Sequence, residues 1–398
     1  MANKESQSPP QSTNTVNTPF LSRKTDGSAD RHSEMHADMH HFGYTVEKQP
    51  AESPIFMVRK PGLLTTIQDG GRVGYKSFGV PASGAADKLA WQTGNALLGN
   101  SDGCAALEMT LLGPELEVLR TTRIAVTGAD LGLKVGGRSI PPWSAFTIHT
   151  GDVLQLTGTA PPNQQAQQHV GGEEPQTAAT VGCRAYLCVQ GGLHGDAVLG
   201  SSSTDVTLGV GGLAGRALRA GDLLYANAGS SLNHLYETPP HPLRRVQTLC
   251  RDTVSYMNAP VTVRILEGPQ RHHFTDTAWD TLLHSEYRAT SNSNRVGVRL
   301  EGPMLKHNEL GADILSEPIP EGAIQVPASG EPIVLLADHR TVGGYAKIAT
   351  AVSVDIPKLA QLRSGDAVRF QAISVREAQA LLLEQHQWLQ MIRILWRG

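Results

Sequence analysis

The sequence predicts a mainly β protein with a few helices. Glycine and proline number 41 and 24 among 398 residues, so tight turns are frequent. Apolar and polar residues alternate over short runs such as Val261–Ile265 and Val296–Leu300, which is typical of half-buried strands. A continuous apolar run at Pro332–Ala337 predicts a strand buried on both faces. This pattern disfavours a coiled coil or a helical bundle.

Three segments carry helical signals. Ser83–Asn100 places apolar residues near one helical face, and it ends in Gly99–Asn100, a stop signal. Asp355–Leu362 begins like a capped helix, with proline at an early position where its missing N–H is not needed. Residues 376–398 are amphipathic, and we expect this terminal helix to dock on the protein or to take part in an oligomeric interface.

The length of the chain suggests two or three domains of about 150 residues each. The polar residues at the start show no apolar period and predict disorder, and residues 158–180 predict a long surface loop. The organisation that we predict is a disordered tail over 1–54, a first domain over 55–240 with the helix 83–100, a linker over 241–258, a second domain over 259–375 and a C-terminal helix over 376–398.

The charge and hydropathy of the chain limit the kinds of binding partner and the cellular compartment that we expect for the protein. The 34 basic and 37 acidic residues give a net charge of −3 with no long run of either sign, which disfavours nucleic acids and anionic membranes. No apolar stretch approaches the length of about 18 residues that a membrane span needs, and the N-terminus lacks the apolar core of a secretory signal. Four cysteines are too few for a disulfide framework, so we predict a cytoplasmic protein with reduced thiols.

Motifs for metal and nucleotide binding are scarce. His32, His36 and His40 would share one face of a helix and could bind copper or nickel, but a solvated polar tail is the commoner case, and we predict no metal site. The sequence contains no G-x-x-x-x-G-K-[ST], no G-x-S-x-G and no H-E-x-x-H motif. Nucleotide or biotin chemistry would therefore use a less familiar site or a separate carrier.

The segment 337–348 is the richest in chemistry-bearing residues. It contains, in order, Asp338, His339, Arg340, Thr341, Gly343, Gly344, Tyr345 and Lys347. Paired glycines let backbone N–H groups approach an anion, and the arginine and lysine add positive charge. Such a loop suits a phosphate, a carboxylate or a carboxylated intermediate. Taken alone, the segment is more often a polar turn with structural glycines.

Two further segments strengthen the hypothesis of a binding site. Arg295 stands beside amide and hydroxyl groups just before a strand, and Gln325 lies within an apolar strand, where a polar side chain needs a partner. The alternatives are a surface ion pair for Arg295 and a satisfied core amide for Gln325. Asp69 and Asp205 lie in segments of similar character, but turn capping is the commoner role of such residues.

Several motifs, taken in order, resemble those of one family. They are Lys60–Tyr75, Gly79–Pro81, Asn95–Asn100, Leu107–Thr110, Thr127–Asp130, Leu199–Asp205, Gly211–Arg216, Gly322–Pro327 and Asp338–Lys347. Each motif is weak alone. The ordered set, which covers roughly residues 55–370, resembles the biotin-dependent carboxyltransferase and allophanate-hydrolase-subunit-2-like family, which includes the C subunit of bacterial ATP-dependent 5-oxoprolinase.

The resemblance implies a fold, a reaction and partners. It implies cyclophilin-like β-barrel domains, with a first carboxyltransferase-type domain over 55–240 and a second barrel over 259–375. The implied function is that of one subunit in an enzyme complex that opens the lactam of 5-oxoproline to glutamate, with ATP and magnesium in the complex. The implied partners are a B-type companion subunit and an A-type lactam-hydrolase protein, besides the small-molecule substrate.

Two alternative functions stay open beside this one. The first is a carboxyltransferase component of the urea carboxylase type, served by biotin on a separate carrier. The second is a non-catalytic regulatory partner of a sensor-kinase inhibitor.

The resemblance also carries over a set of site residues. They are Arg295, Gln325, Asp338, His339, Thr341, Gly343, Gly344, Tyr345 and Lys347. Arg295 and Lys347 would clamp an anion, and Gln325 with the glycine N–H groups would orient the substrate. Asp338 or His339 would carry a proton, a role that usually contributes about 10²–10⁴-fold to a rate. We expect these side chains to meet in one pocket shaped for a small oxyanion.

Overall fold

The computed structural model describes residues 53–158, 182–227, 244–245 and 260–396. The predicted tail with its histidine tract, nearly all of the predicted loop 158–180 and most of the predicted linker 241–258 lie outside these residues. The domain boundaries near 240 and 259 therefore stay predictions.

The first part of the described chain forms two six-stranded sheets. Its strands are β1 (Phe56–Lys60), β2 (Leu64–Gln68), β3 (Ala106–Thr110), β4 (Glu115–Val118), β5 (Thr122–Gly128), β6 (Leu133–Val135), β7 (Arg138–Ser139), β8 (Ser144–Ile148), β9 (Val153–Leu156), β10 (Arg184–Val189), β11 (Leu223–Leu224) and β12 (Arg244–Arg245). The sheets have the strand orders β11-β1-β4-β9-β6-β7 and β12-β8-β5-β10-β3-β2. Apolar side chains of both sheets, such as Leu116 and Leu187, share one core, and we call this part the sandwich.

The later part of the chain forms a closed barrel. Its strands are β13 (Val261–Glu267), β14 (Tyr287–Ala289), β15 (Gly297–Glu301), β16 (Asp313–Pro318), β17 (Ala323–Gln325), β18 (Ile333–Leu335), β19 (Val342–Tyr345), β20 (Lys347–Ala351) and β21 (Ala367–Ala372). Seven of them close in the order β13-β20-β17-β18-β15-β14-β21, while β16 and β19 pair as a separate ribbon. The alternating residues Val261, Val263 and Ile265 are all buried in the barrel core, as predicted. The prediction of a mainly β fold with a barrel is confirmed, but the first part of the described chain forms two sheets that share a core and not the closed barrel that was predicted there as well.

Four α-helices accompany these strands in the described residues. They are α1 (Lys88–Leu97), α2 (Asp276–His284), α3 (Ile356–Ala360) and α4 (Val375–Trp396). The predicted helix 83–100 is shorter than expected because Ser83 and Gly84 have φ angles of 52° and 93°, which are incompatible with a right-handed helix. The helix starts instead after Asp87, whose side chain accepts a hydrogen bond from the N–H of Ala90.

No helix within residues 53–158, 182–227 and 260–396 is long and apolar enough to cross a membrane. Cys104, Cys183 and Cys188 are free thiols, and Cys250 lies outside the described residues.

Asp355 precedes α3, as the sequence indicates, but its side chain does not cap that helix. Its carboxylate accepts hydrogen bonds from the backbone N–H, Nε and Nη2 of Arg264 at 2.6–2.8 Å, and it pairs with Lys358 at 2.8 Å. Burial acts to raise the pKa of Asp355, but the hydrogen bonds from Arg264 and the charge of Lys358 outweigh it and lower the pKa. The carboxylate therefore ties β13 to α3.

The lowered pKa of Asp355 predicts a pH-dependent contribution to stability. A carboxyl group with a depressed folded pKa stabilises the protein above its unfolded pKa of about 3.9, and this stability is lost as the pH falls through the folded value. We expect Asp355→Asn to reduce the free energy of unfolding at pH 7 and to have a smaller effect as the pH falls below about 4. Urea unfolding of both chains from pH 3 to 7 measures this. An equal loss at every pH would contradict it.

Candidate functional site

Two neighbouring side chains of the barrel are buried and carry hydrogen-bond donors for which the protein supplies no acceptor of hydrogen-bond geometry. Gln325 ends β17, Lys347 begins β20, and the two residues are partners in the strand register. Their exposed fractions are only 7% and 1%. Gln325 Nε2 has no hydrogen-bond acceptor among the described protein atoms, and Lys347 Nζ has no acceptor of hydrogen-bond geometry, although it forms an ion pair with Glu317. Because an unpaired buried donor costs stability, this pair of donors is suited to an oxygen atom of a ligand.

Glu317 on β16 is the ionic partner of Lys347. Lys347 Nζ lies 2.7 Å from Glu317 Oε1, although the angle is not that of a hydrogen bond. Gln270 Nε2 donates to the same oxygen at 2.9 Å. The contact with Lys347 and the hydrogen bond from Gln270 lower the pKa of Glu317. The Glu317 side chain is 41% exposed, so an incoming ligand oxygen can replace it beside the ammonium at small cost.

Gly343 on β19 allows the ribbon to approach the two donors. It is paired with Glu317 across the ribbon. A methyl group at Gly343 would lie 2.8 Å from Gln325 Nε2 and would overlap the side chain of Ile319. The next residue, Gly344, has more room, since a methyl group there would lie 3.3 Å from its nearest neighbour, the carbonyl oxygen of Ile314. The two glycines therefore differ in their importance for the donor pair.

This difference predicts the behaviour of two alanine variants. Gly343→Ala is expected to push the Gln325 amide aside and to lower substrate turnover at least ~10-fold, because the added methyl meets only flexible side-chain ends and the fold can adjust. Gly344→Ala is the matched control and is expected to retain turnover. Steady-state rates and thermal unfolding of both variants measure this. Equal rates for the two variants would contradict the assignment.

Arg295 lies away from these donors, at the contact between the barrel and the sandwich. Its Nε and Nη2 donate to Asp338 at 2.7 and 3.0 Å, its Nη1 donates to Glu108 at 2.5 Å, and its Nη2 also donates to the carbonyl oxygen of Gly84 at 2.7 Å. Each nitrogen of the guanidinium thus has a protein acceptor. The arrangement does not support the anion clamp expected for Arg295, nor the alternative of a surface ion pair, since the side chain is buried.

Glu108 on β3 is the sandwich partner of Arg295. It is almost fully buried and also accepts hydrogen bonds from Ala86 N–H (2.9 Å) and from the Tyr186 hydroxyl (2.7 Å). Burial acts to raise its pKa, but the charges of Arg295 and Arg184 and these hydrogen bonds outweigh it and lower the pKa. Glu108 is therefore an ionised carboxylate held by two cations. We call Glu108, Arg295, Asp338, Tyr186 and Arg184 the junction network.

The two candidate proton carriers are both engaged by neighbouring groups. Asp338 is bound by Arg295 through two hydrogen bonds. His339 is 1% exposed, with Nδ1 against the carbonyl oxygen of Leu336 and Nε2 within 3.2 Å of Lys76 Nζ and 3.1 Å of the carbonyl oxygen of Ile319. Burial is the largest cause that lowers the pKa of His339. The carbonyl oxygen of Ile319 contacts His339, and the side chain of Ile319 lies beside Gly343. Ile319 therefore lies between His339 and the donor pair.

The two other residues that were predicted to contact the substrate, Thr341 and Tyr345, lie at the two ends of β19. Thr341 is buried, and its carbonyl oxygen accepts a hydrogen bond from Ile319 N–H. Tyr345 is 43% exposed at the end of β19, where it is paired with Asp313. The structure thus brings Gln325, Gly343 and Lys347 together and places the other predicted residues around them or in the junction network.

The two aspartates in the sandwich segments of similar polar character accept hydrogen bonds from nearby loops. Asp69 accepts hydrogen bonds from the hydroxyls of Ser201 and Ser203, both at 2.6 Å, and from the N–H of Gly71. Asp205 accepts from the N–H groups of Thr207 and Leu208, as a turn-capping residue does. Both carboxylates are therefore used in holding loops.

Two residues beside the donor pair, and the role of a third residue in the junction network, are not apparent from the sequence. Gln270 and Glu317 lie in segments without a recognisable motif, and only the pairing of β16 with β19 brings Glu317 to Lys347. Glu108 stands in the sequence as an isolated acid. Its position in an apolar strand is the available signal, since a buried acid needs a partner.

The carboxyltransferase domain family, subdomain A and B, matches residues 78–372, and the chain belongs to this family. The resemblance seen in the sequence is thereby confirmed.

The curated relatives include bacterial proteins named as C subunits of 5-oxoprolinase. The chain is 33% identical to the one from Haemophilus influenzae over 328 residues, which are 82% of this chain and 94% of that protein. It is 32% identical to the one from Escherichia coli over 338 residues, which are 85% of this chain and 97% of that protein.

A solved structure is also similar. The urea carboxylase of Kluyveromyces lactis matches with a TM-score of 0.72 and 28% identity, over 86% of this chain and 30% of that one. This chain therefore corresponds to less than a third of the larger enzyme.

Proposed function

We propose that this chain is one component of a cytoplasmic, ATP-dependent 5-oxoprolinase-type complex that hydrolyses the lactam of 5-oxoproline to glutamate. Its similarity to two 5-oxoprolinase C subunits, over nearly their full lengths, supports this reaction. The observation that carries the proposal is the adjacent pair of buried donors, Gln325 Nε2 and Lys347 Nζ, without a protein acceptor of hydrogen-bond geometry.

The two donors suit the charge that develops when a lactam opens. Attack of water on the ring carbon moves negative charge onto the lactam oxygen, and the ring nitrogen leaves with a proton. An amide N–H and an ammonium that are already fixed beside this oxygen stabilise the charge without reorganisation. In this scheme the substrate oxygen takes the place of Glu317 beside Lys347, and Glu317 moves outward on the exposed ribbon.

Magnesium and ATP are expected in the complex, and the described residues of this chain offer no grouped ligands for the magnesium ion. Within residues 53–158, 182–227 and 260–396, no three His, Cys, Asp or Glu side chains are grouped so that they could hold a metal ion. No step of the proposed mechanism is therefore assigned to ATP on this chain. The B-type companion and the A-type lactam-hydrolase protein would complete the proposed complex.

A biotin-dependent carboxyltransferase of the urea carboxylase type is the second candidate. The similarity to the Kluyveromyces lactis urea carboxylase favours it, and the same two donors suit a ureido or carboxylate oxygen. Biotin on a separate carrier would supply a carboxyl group when bound. The chain's own contribution, through Gln325 and Lys347, would be to orient that group.

Reconstitution with the companion proteins tests the choice between these reactions. The proposal predicts phosphate release from ATP that depends on 5-oxoproline and that falls strongly in the complex containing Lys347→Met. The second candidate would be established instead if a carboxylated biotin carrier transfers its carboxyl group to urea and 5-oxoproline causes no release of phosphate from ATP. If neither 5-oxoproline nor urea is turned over while the chain still binds its companion protein, the regulatory alternative would be favoured.

A further inference from the structure

The opening of a lactam needs a proton carrier, and the two residues expected to provide it are held by other groups. Attack of water on the ring carbon releases a proton, and the ring nitrogen has to gain one as it leaves. Asp338 is held by two hydrogen bonds from Arg295. His339 is buried, and its ring nitrogens lie against backbone carbonyl oxygens. The donor pair therefore calls for another group to carry the proton.

Glu317 is the carboxylate that the fold brings to the donor pair. Its Oε1 lies 2.7 Å from Lys347 Nζ and accepts a hydrogen bond of 2.9 Å from Gln270 Nε2. Its backbone is paired with Gly343 across the ribbon, beside the amide of Gln325. Among the residues that the structure describes, Glu317 is the acid that forms an ion pair with Lys347. A carboxylate is thus fixed next to the position that suits the lactam oxygen.

The distances bring Glu317 within reach of a water molecule at the ring carbon. A substrate oxygen that accepts a hydrogen bond from Lys347 Nζ lies about 2.8 Å from this atom. Because Glu317 Oε1 is 2.7 Å from the same nitrogen, the two oxygens are at most about 5.5 Å apart before Glu317 shifts. The outward shift of Glu317 makes room for one water between its carboxylate and the ring carbon, and the hydrogen bond from Gln270 limits that shift.

The contact with Lys347 makes Glu317 a base that strengthens when the substrate binds. This contact and the hydrogen bond from Gln270 lower the pKa of Glu317, so the carboxylate is ionised before the substrate arrives. A substrate oxygen that takes over the contact with Lys347 weakens the larger of these two causes. The pKa of Glu317 then rises toward its ordinary value, and the carboxylate accepts a proton more readily.

We propose that Glu317 is a catalytic residue that carries the proton in the ring-opening step, an inference that rests on the proposed lactam hydrolysis. The carboxylate takes a proton from water as the water oxygen bonds to the ring carbon. It gives this proton to the ring nitrogen as the carbon–nitrogen bond breaks and the lactam oxygen regains its double bond. The second proton of the water stays on the new carboxyl group until solvent removes it. The protons balance, and water is the only co-reactant of this step.

A glutamine variant in the reconstituted complex tests this role. Glu317→Gln keeps the length of the side chain and an acceptor oxygen for Gln270, but the amide cannot take up a proton. The kcat of glutamate formation from 5-oxoproline is expected to fall by about 10²–10⁴-fold. KM is expected to stay equal or to fall, because a neutral amide competes less with the substrate for Lys347. Glu309→Gln is the matched control, since Glu309 is exposed in the turn before β16, and it is expected to keep the wild-type kcat.

Chemical rescue separates proton transfer from a purely structural role. Glu317→Ala opens space beside Lys347, and formate can enter from solvent because the natural side chain is 41% exposed. Added formate is expected to raise the kcat of Glu317→Ala at least ~10-fold and to leave the kcat of Glu317→Gln and of the wild-type complex unchanged.

Two outcomes would overturn the role of Glu317 while the proposed function stands. One is a Glu317→Gln complex with the kcat of the wild type. The other is a Glu317→Ala complex whose kcat does not respond to formate. A wild-type complex that forms no glutamate from 5-oxoproline would instead overturn both the proposed function and this role.

Discussion

Replacing Lys347 with methionine is expected to lower the turnover of the reconstituted complex by about 10²–10³-fold, which is the usual cost of removing one donor to a developing oxyanion. Methionine keeps most of the length of the side chain in a position that is only 1% exposed, so the barrel is expected to stay folded. The loss is expected in kcat more than in KM, because the ammonium acts mainly where the charge develops.

A control for this variant is available on the sandwich. Lys134 on β6 is exposed. Lys134→Met makes the same chemical change as Lys347→Met, but in a strand of the sandwich that is far from the donor pair in the sequence. We expect its kcat to equal that of the wild-type complex. If Lys347→Met retains full turnover while its unfolding is unchanged, Lys347 does not contact the reacting atoms, and the proposed site is wrong.

Replacing Arg295 with methionine is expected to lower the free energy of unfolding by about 3–5 kcal/mol, because it leaves the buried carboxylate of Glu108 without its closest cation. The loss is expected to diminish as the pH falls from 7 toward about 4, because burial, no longer offset by Arg295, raises the pKa of Glu108 in the variant and lets this carboxylate take up a proton and lose its charge. The double variant Arg295→Met, Glu108→Gln is expected to recover part of the loss. Chemical unfolding of the isolated chain measures all of these values.

Arg299 provides the matched control for the junction network. It lies four residues further along the same segment, its side chain is exposed, and the hydrogen bonds of the residue are made by its backbone. Arg299→Met is expected to change the free energy of unfolding by no more than about 0.5 kcal/mol. A small effect of Arg295→Met, comparable to that of Arg299→Met, would show that the barrel and the sandwich do not depend on this buried pair.

Local patterns in the sequence are sufficient to predict the class of the fold. The alternation of Val261, Val263 and Ile265 places β13 correctly, because a strand with one buried face shows a period of two in its own residues. The predicted helix 83–100 is too long, since the left-handed conformations of Ser83 and Gly84 depend on tertiary contacts that no local period records.

The candidate site is only partly predictable, for a related reason. Gln325 can be selected because a polar side chain in an apolar strand needs a partner, and Lys347 because it adds positive charge after the glycine pair of the segment 337–348. The strand register does bring these two residues together. The partners of Arg295 cannot be predicted, since Glu108 is 187 residues away in the sequence. A charged residue shows in sequence only that it needs a partner, and the tertiary fold decides whether that partner is a ligand or another side chain.

A double-mutant cycle on kcat/KM most directly tests the claim that Gln325 and Lys347 donate to the same oxygen of the substrate. The variants are Gln325→Leu, Lys347→Met and the two combined, each in the reconstituted complex with 5-oxoproline. Because both donors serve one developing charge, the double variant is expected to be little slower than the slower single variant. Losses that multiply independently, or a Gln325→Leu variant with wild-type kcat/KM, would contradict a shared oxygen site.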